Sequence, residues 1–119
     1  MGYELYITRA DTWLERRQHP ISGPEWDAVV ATDAELKWST QDWYERQSAN
    51  RRVERFYAVI WITHPEKVPF WFMDGAIQTK NPDQMTIRKM VDLAHKLSAK
   101  VLGEEGEEYG PDGEVVSLG

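Results

Sequence analysis

Apolar positions along this chain change period several times, and the clearest blocks lie between Arg55 and Gly103. Phe56-Tyr57-Ala58-Val59-Ile60-Trp61-Ile62 is an apolar run of strand length, rich in aromatic and β-branched residues, and His64-Pro65-Glu66-Lys67 punctuates it as a turn. Val68 to Met73 reads as a second strand. Asp74-Gly75 supplies the positive φ angles of a two-residue type I′ turn, so Ala76 to Lys80 is predicted to return as its antiparallel partner. Asn81-Pro82-Asp83 then starts a helix, with Asn81 as its cap, Pro82 in the first turn and Asp83 complementing the positive end. Ile87, Met90, Val91, Ala94 and Leu97 recur at helical spacing opposite Arg88, Lys89, Asp92 and Lys96, and Val101-Leu102 is predicted to re-enter the sheet.

The first half is less regular. Tyr3, Leu5 and Ile7 alternate with polar positions as in a first strand, and Arg9 to Arg17 reads as a loop with a helical turn. Ser22-Gly23-Pro24-Glu25 has the residues of a capping box, and Ile21 and Trp26 have the spacing of a hydrophobic staple. Trp26, Val29 and Val30 continue as a one-sided stripe, which predicts a helix over 23–32. Glu35 to Ser39 is expected to form a short strand. Ser48-Ala49-Asn50 interrupts any apolar face over Gln41 to Glu54, which is expected to be a surface loop with partial helix.

Strand, helix, strand, strand, helix and strand make an α+β fold, with a mainly antiparallel sheet and two helices on one face, a ferredoxin-like arrangement being the simplest candidate. The expected domain is 1–102. Residues 103–119 are expected to be an acidic, flexible tail in which Tyr109 or Val115-Val116 adds at most an edge strand. The strands are apolar on both sides, and helices on one side leave Tyr57, Trp61, Trp71 and Met73 on the other. Two readings follow. Either the segment from Trp38 to Glu54 folds over that face and Trp43 and Tyr44 complete a minor core, or the face binds a protein through aromatic residues rimmed by Arg46, Arg51 and Arg52.

Composition narrows the classes. A chain of 119 residues with 41% hydrophobic content suits one globular domain. No cysteine is present, so disulfides, thiol nucleophiles and the common structural zinc sites are excluded. No apolar run approaches membrane-spanning length and no signal-like leader precedes Tyr3, so a soluble cytoplasmic protein is expected. The net charge of −6 is localised: six of the 20 acidic residues (Glu104, Glu105, Glu107, Glu108, Asp112 and Glu114) lie beyond residue 102, which leaves 14 against the 14 Lys and Arg of the body.

Candidate chemistry is sparse. His19, His64 and His95 are scattered without a pair at ligand spacing, and His64, with Glu66 and Asp74 as possible partners, reads as a surface-turn histidine. Neither a phosphate-cradling glycine loop nor a nucleophile elbow occurs, so no catalytic residue, metal or cofactor is expected. Trp43 and Tyr44 beside Arg46, Arg51, Arg52 and Arg55 have the residue types of single-strand nucleic-acid binding, but Glu45 and Glu54 dilute the charge and the body is neutral. A pocket beside 41–54, using His64, Tyr57 or an arginine, is the alternative for a ligand-binding domain or small enzyme.

The opening Gly2 to Ala10, the helix start from Ile21 to Trp26, the cap at Lys80-Asn81-Pro82-Asp83 and the ending Ala99 to Glu107 resemble a family of short bacterial proteins, some of which are similar to immunity proteins of polymorphic toxin systems. The resemblance implies a single-domain cytosolic protein with no catalytic residue to carry over, and the Gln41 to Glu54 segment departs from the family's pattern. The expected function is therefore non-enzymatic binding of a protein partner, a cognate toxin, by covering its active site. In that reading the aromatic face supplies the contacts. The acidic residues Glu104, Glu105, Glu107 and Glu108 enter a basic groove of the partner or fold against the chain's own arginine cluster.

Overall fold

Local signals account for most element starts in the computed structural model, which describes residues 3–118. Helix α1 spans Gly23–Thr32, and its capping box is complete: the Ser22 hydroxyl accepts from the Glu25 amide while the Glu25 carboxylate accepts from the Ser22 amide. Helix α2 spans Gln84–Lys96. Its cap lies two residues later than expected, because Asn81 takes a positive φ of 50° and its side chain accepts from the Tyr3 amide. Asp83 is the cap, and its carboxylate accepts from the Thr86 amide at 2.8 Å.

The strands are β1 (Glu4–Thr8), β2 (Leu36–Gln47), β3 (Val53–Trp61), β4 (Val68–Met73), β5 (Ala76–Lys80), β6 (Lys100–Gly103), β7 (Glu108–Tyr109) and β8 (Val115–Ser117). They form one eight-stranded sheet in the order β2-β3-β4-β5-β1-β6-β7-β8, antiparallel throughout, in an α+β fold. This is twice the strand number of a four-stranded βαββαβ unit. The expected turn joins β4 to β5, with Asp74 and Gly75 at φ 55° and 82°.

Both helices contribute to one core. Trp26, Val29 and Val30 of α1 and Met90, Val91, Leu93 and Ala94 of α2 cluster with Leu5, Ile7, Val59, Trp61, Phe70, Ile77 and Val101. Lys89 of α2 bonds Asp33, the residue that ends α1, and Glu35, so a largely buried ion pair joins the two helices. Burial lowers the Lys89 pKa, but the bonds to Asp33 and Glu35 outweigh it and leave the ammonium firmly charged.

Three expectations are corrected. Residues 41–54 are a hairpin, not a loop: 43–47 of β2 pair with 53–57 of β3, and a bulge between Trp38 and Trp43 divides β2. The expected tail forms β7 and β8 at the far edge of the sheet, opposite β2, and so cannot fold against the arginines of the β2–β3 hairpin. The register of β3 on β4 sets Val59 opposite Phe70 and Trp61 opposite Val68, so Trp61 faces the helices and does not share a face with Trp71 and Met73. The face away from the helices is covered over β1 by a different segment: a 3-10 turn at Trp13–Glu15 stacks Trp13 on Tyr6 with centroids 5.2 Å apart.

That segment reaches the β4–β5 turn, where a Cβ on Gly75 would lie 2.7 Å from the Pro20 Cβ and 3.0 Å from the Arg16 carbonyl oxygen, at a φ that disfavours L side chains. Gly75→Ala is expected to lower the unfolding free energy by about 2–3 kcal/mol, from backbone strain and overpacking together, measured by urea denaturation.

Candidate functional site

β3 pairs with β4 only from Val59 to Trp61, while its earlier part, from Val53 to Tyr57, pairs with β2 alone as far as the hairpin turn. The outer parts of β2 and β3 therefore form a two-stranded arm that leaves the main sheet. Two contacts tie it back. The Tyr44 hydroxyl donates to the Phe72 carbonyl at 2.8 Å, filling a position that a strand would otherwise occupy, and Arg46 bonds Asp74 at 2.8 Å. Asp74 also accepts from Arg16 and Arg17 of the segment that follows β1. The hydrogen bond from Arg46, then that from Arg17, outweighs burial and draws the Asp74 pKa down from 3.8 to about 2.

The arm is aromatic on both sides, because its cross-strand pairs alternate. Tyr44 stacks on Phe56 and tilts against Trp71 on the side away from the helices, and all three are half-buried. Trp43 opposite Tyr57, and Trp38 opposite Val59, lie on the helix side but past the end of α1, so these three aromatics stand 41%, 38% and 46% exposed in the order Trp43, Tyr57 and Trp38. The Arg55 guanidinium lies 3.9 Å from the centre of the Trp43 ring and bonds Glu45 at 3.2 Å. A groove of about 290 Å3 runs between this aromatic surface and the first turn of α1, with Trp26, Trp38, Tyr57 and Phe72 among its walls.

The candidate residues read from the sequence thus do not form one surface. Trp43 and Tyr57 meet on the exposed groove side; Tyr44, Trp71 and Met73 lie on the reverse side. Trp61 is core, its indole donating to Glu35. Arg46 is bound to Asp74, while Arg51 and Arg52 are exposed at the hairpin turn. Glu104, Glu105, Glu107 and Glu108 lie at the opposite end of the sheet, and two of them serve the fold. Glu107 accepts from the Tyr3 and Tyr109 hydroxyls, whose pKa values are pushed up to about 12, mainly by burial and then by that carboxylate. Glu104 accepts from the Trp13 indole through its carbonyl and from the Glu4 amide through its carboxylate.

Trp38 and Trp26 are not singled out as site residues by the sequence, and Asp74, expected as a possible partner of His64, instead holds Arg16, Arg17 and Arg46. Glu45 opposite Arg55 and Arg46 opposite Glu54 are complementary cross-strand pairs, the one signal in the sequence that would have revealed the arm and with it Trp38.

His64 is buried rather than a surface-turn residue. Its Nδ1 accepts from the Glu66 amide, which places the proton on Nε2, and Nε2–H donates to Asp83 at 2.9 Å. Both ring nitrogens are thereby occupied, and the residue lines a separate cavity of about 260 Å3 with Lys80 and Asp83 rather than the arm groove. Among the described residues no group of three or more His, Asp or Glu is placed to hold a metal ion, and no helix is long and apolar enough to cross a membrane. No family model, curated protein or solved structure matches this chain.

Because the folded Asp74 pKa lies below its unfolded value, its ionised form stabilises the fold fully above pH about 4, and that stabilisation disappears as pH falls toward 2. Asp74→Asn is expected to cost about 2 kcal/mol at neutral pH and to flatten this part of the acid limb, as read from urea midpoints across a pH series.

Proposed function

We propose that this protein is a non-enzymatic protein-binding module that docks its partner through the groove side of the β2–β3 arm, in the manner of an immunity protein that covers the active site of a cognate bacterial toxin. The observation that carries the reading is the cluster of Trp38, Trp43 and Tyr57, exposed together on a two-stranded arm that is tied down at Tyr44 and Arg46. Tryptophan, tyrosine and arginine are the residue types that dominate binding energy at protein interfaces, and a surface whose rotamers are already held loses less entropy on docking. Stacking on Trp43 and bonding to Glu45 hold Arg55 in this way.

A toxin as the class of partner is supported by the resemblance of the first strand, the helix starts and the Ala99 to Glu107 ending to a family of short bacterial proteins, some of which are similar to immunity proteins of polymorphic toxin systems. The acidic end is kept out of this reading, since Glu104 and Glu107 are engaged within the fold. Polyanion binding is disfavoured: Asp42, Glu45 and Glu54 are interspersed with Arg46, Arg51, Arg52 and Arg55 along the arm, so no continuous cationic track exists for a phosphate backbone.

The test is co-expression with the product of the adjacent gene, followed by co-purification and a toxicity assay. The double substitution Trp43→Ala with Tyr57→Ala is expected to weaken the complex at least about 100-fold and abolish protection, while the unfolding free energy falls by about 1–3 kcal/mol, since each side chain is still more than half buried, and the fold is retained by circular dichroism. Equal binding by the variant, or absence of any protected toxin, would remove the proposal.

A further inference from the structure

Asp74 gathers more positive charge than it neutralises. Arg46 donates to one of its carboxylate oxygens at 2.8 Å, and Arg17 and Arg16 approach the other at 3.1 and 3.4 Å. A single guanidinium balances a single carboxylate, so this bonded cluster carries an excess of two positive charges. Holding the segments together does not require that surplus, because each has its own tie to the β4–β5 hairpin. The Ile21 amide donates to the Gly75 carbonyl at 2.9 Å on one side, and the Tyr44 hydroxyl donates to the Phe72 carbonyl on the other.

The three arginines differ in what else they touch. Arg16 forms the base of the cluster: its side chain is 19% exposed, donates to the Trp13 carbonyl, and lies 5.4 Å from the centre of the Trp13 ring. Arg17 and Arg46 stand outside it, 71% and 48% exposed, and Asp74 is the partner each has among the described residues. Their attachment to separate oxygens of a nearly buried carboxylate holds two guanidiniums close together while most of their N–H donors stay uncommitted. Glu54 lies opposite Arg46 in the arm but is exposed and bonds none of the three, so it offsets little of the charge.

We infer that Arg17 and Arg46 together bind a phosphate group as its dianion, with Asp74 as the positioning residue that keeps the two guanidiniums side by side. A phosphate monoester carries roughly −1.5 to −2 at neutral pH, which matches the surplus, and its three acceptor oxygens can engage both arginines at once. A carboxylate brings one charge and would leave the cluster positive. The site is one group wide and needs no cationic track along the arm. Arg46 alternates with Glu45 and shares the face of Tyr44, so the site lies on the side of the arm away from the aromatic groove and stands apart from the docking reading.

The test is nitrogen-15 NMR of the arginine side chains of the full chain, titrated at constant ionic strength with inorganic phosphate, N-acetyl-O-phosphoserine amide and acetate. Both phosphate probes are expected to shift the Arg17 and Arg46 resonances saturably and to bind at least about tenfold more tightly than acetate. Tighter binding of the phosphoserine derivative assigns the site to a phosphorylated side chain, and equal binding assigns it to a free phosphate. Arg17→Gln, at an exposed position, should weaken phosphate binding at least about fivefold, whereas Arg88→Gln on the exposed face of α2 should leave it unchanged. Asp74→Asn separates the two explanations by sign. Loss of a negative charge alone would tighten anion binding, but loss of the positioning residue is expected to weaken it about threefold or more. Acetate binding as tight as phosphate, shifts that do not saturate, equal losses in the Arg17 and Arg88 variants, or tighter binding by Asp74→Asn would overturn the inference.

Discussion

One carboxylate joins three separate segments of this protein at a single point. Asp74 sits at the tip of the β4–β5 hairpin in a backbone conformation of positive φ, with its side chain only 8% exposed, and accepts from Arg16, Arg17 and Arg46. Arg16 and Arg17 belong to the segment that covers β1, and Arg46 belongs to the arm. Three guanidiniums brought this close repel one another unless an anion lies between them, so the carboxylate both attracts each segment and makes their proximity tolerable. The aromatic contacts on the reverse side, Tyr44 with Trp71 and Trp13 with Tyr6, lie on the parts that these pairs draw together.

What could be read from the sequence was local. The capping box at Ser22, the turn at Asp74-Gly75 and the periodicity of α2 each involve residues within a few positions of one another, and the elements they define match the structure closely. Misjudged features depended on distant partners. The β3–β4 register rests on a six-residue connection, and a one-residue change in that register moves Trp61 from core to surface. The order of β7 depends on Tyr109 opposite Val101 and on Glu107 reaching Tyr3, more than a hundred residues away, whereas composition alone suggested fraying. His64 looked like a turn residue because its partner, Asp83, comes from the next helix.

The candidate site was half legible for the same reason. Residue type singles out Trp43, Tyr57 and the arginines, since large aromatics in a polar segment are unusual wherever they fall. Their division between two faces was not available, because it follows from the cross-strand pairing of a hairpin whose break at Ser48 to Asn50 resembled the end of any ordered element. Trp26 reads from the sequence as part of the apolar stripe of α1, and it lies in the core; its unpaired indole nitrogen is a property of packing, which no spacing rule reports.

The bulge in β2 has a consequence for solubility. A twelve-residue edge strand carrying exposed tryptophans is a template for pairing with another molecule, and a straight one would invite stacking of copies edge to edge. Between Trp38 and Trp43 the Ser39 hydroxyl accepts from the amides of Gln41 and Asp42, so backbone donors that an incoming strand would need are already taken. Exposed Lys37 and Asp42 place opposite charges on either side of the interruption. The strand is thereby divided into two short stretches with different registers, and it can display its aromatic side chains without acting as a seed for its own aggregation.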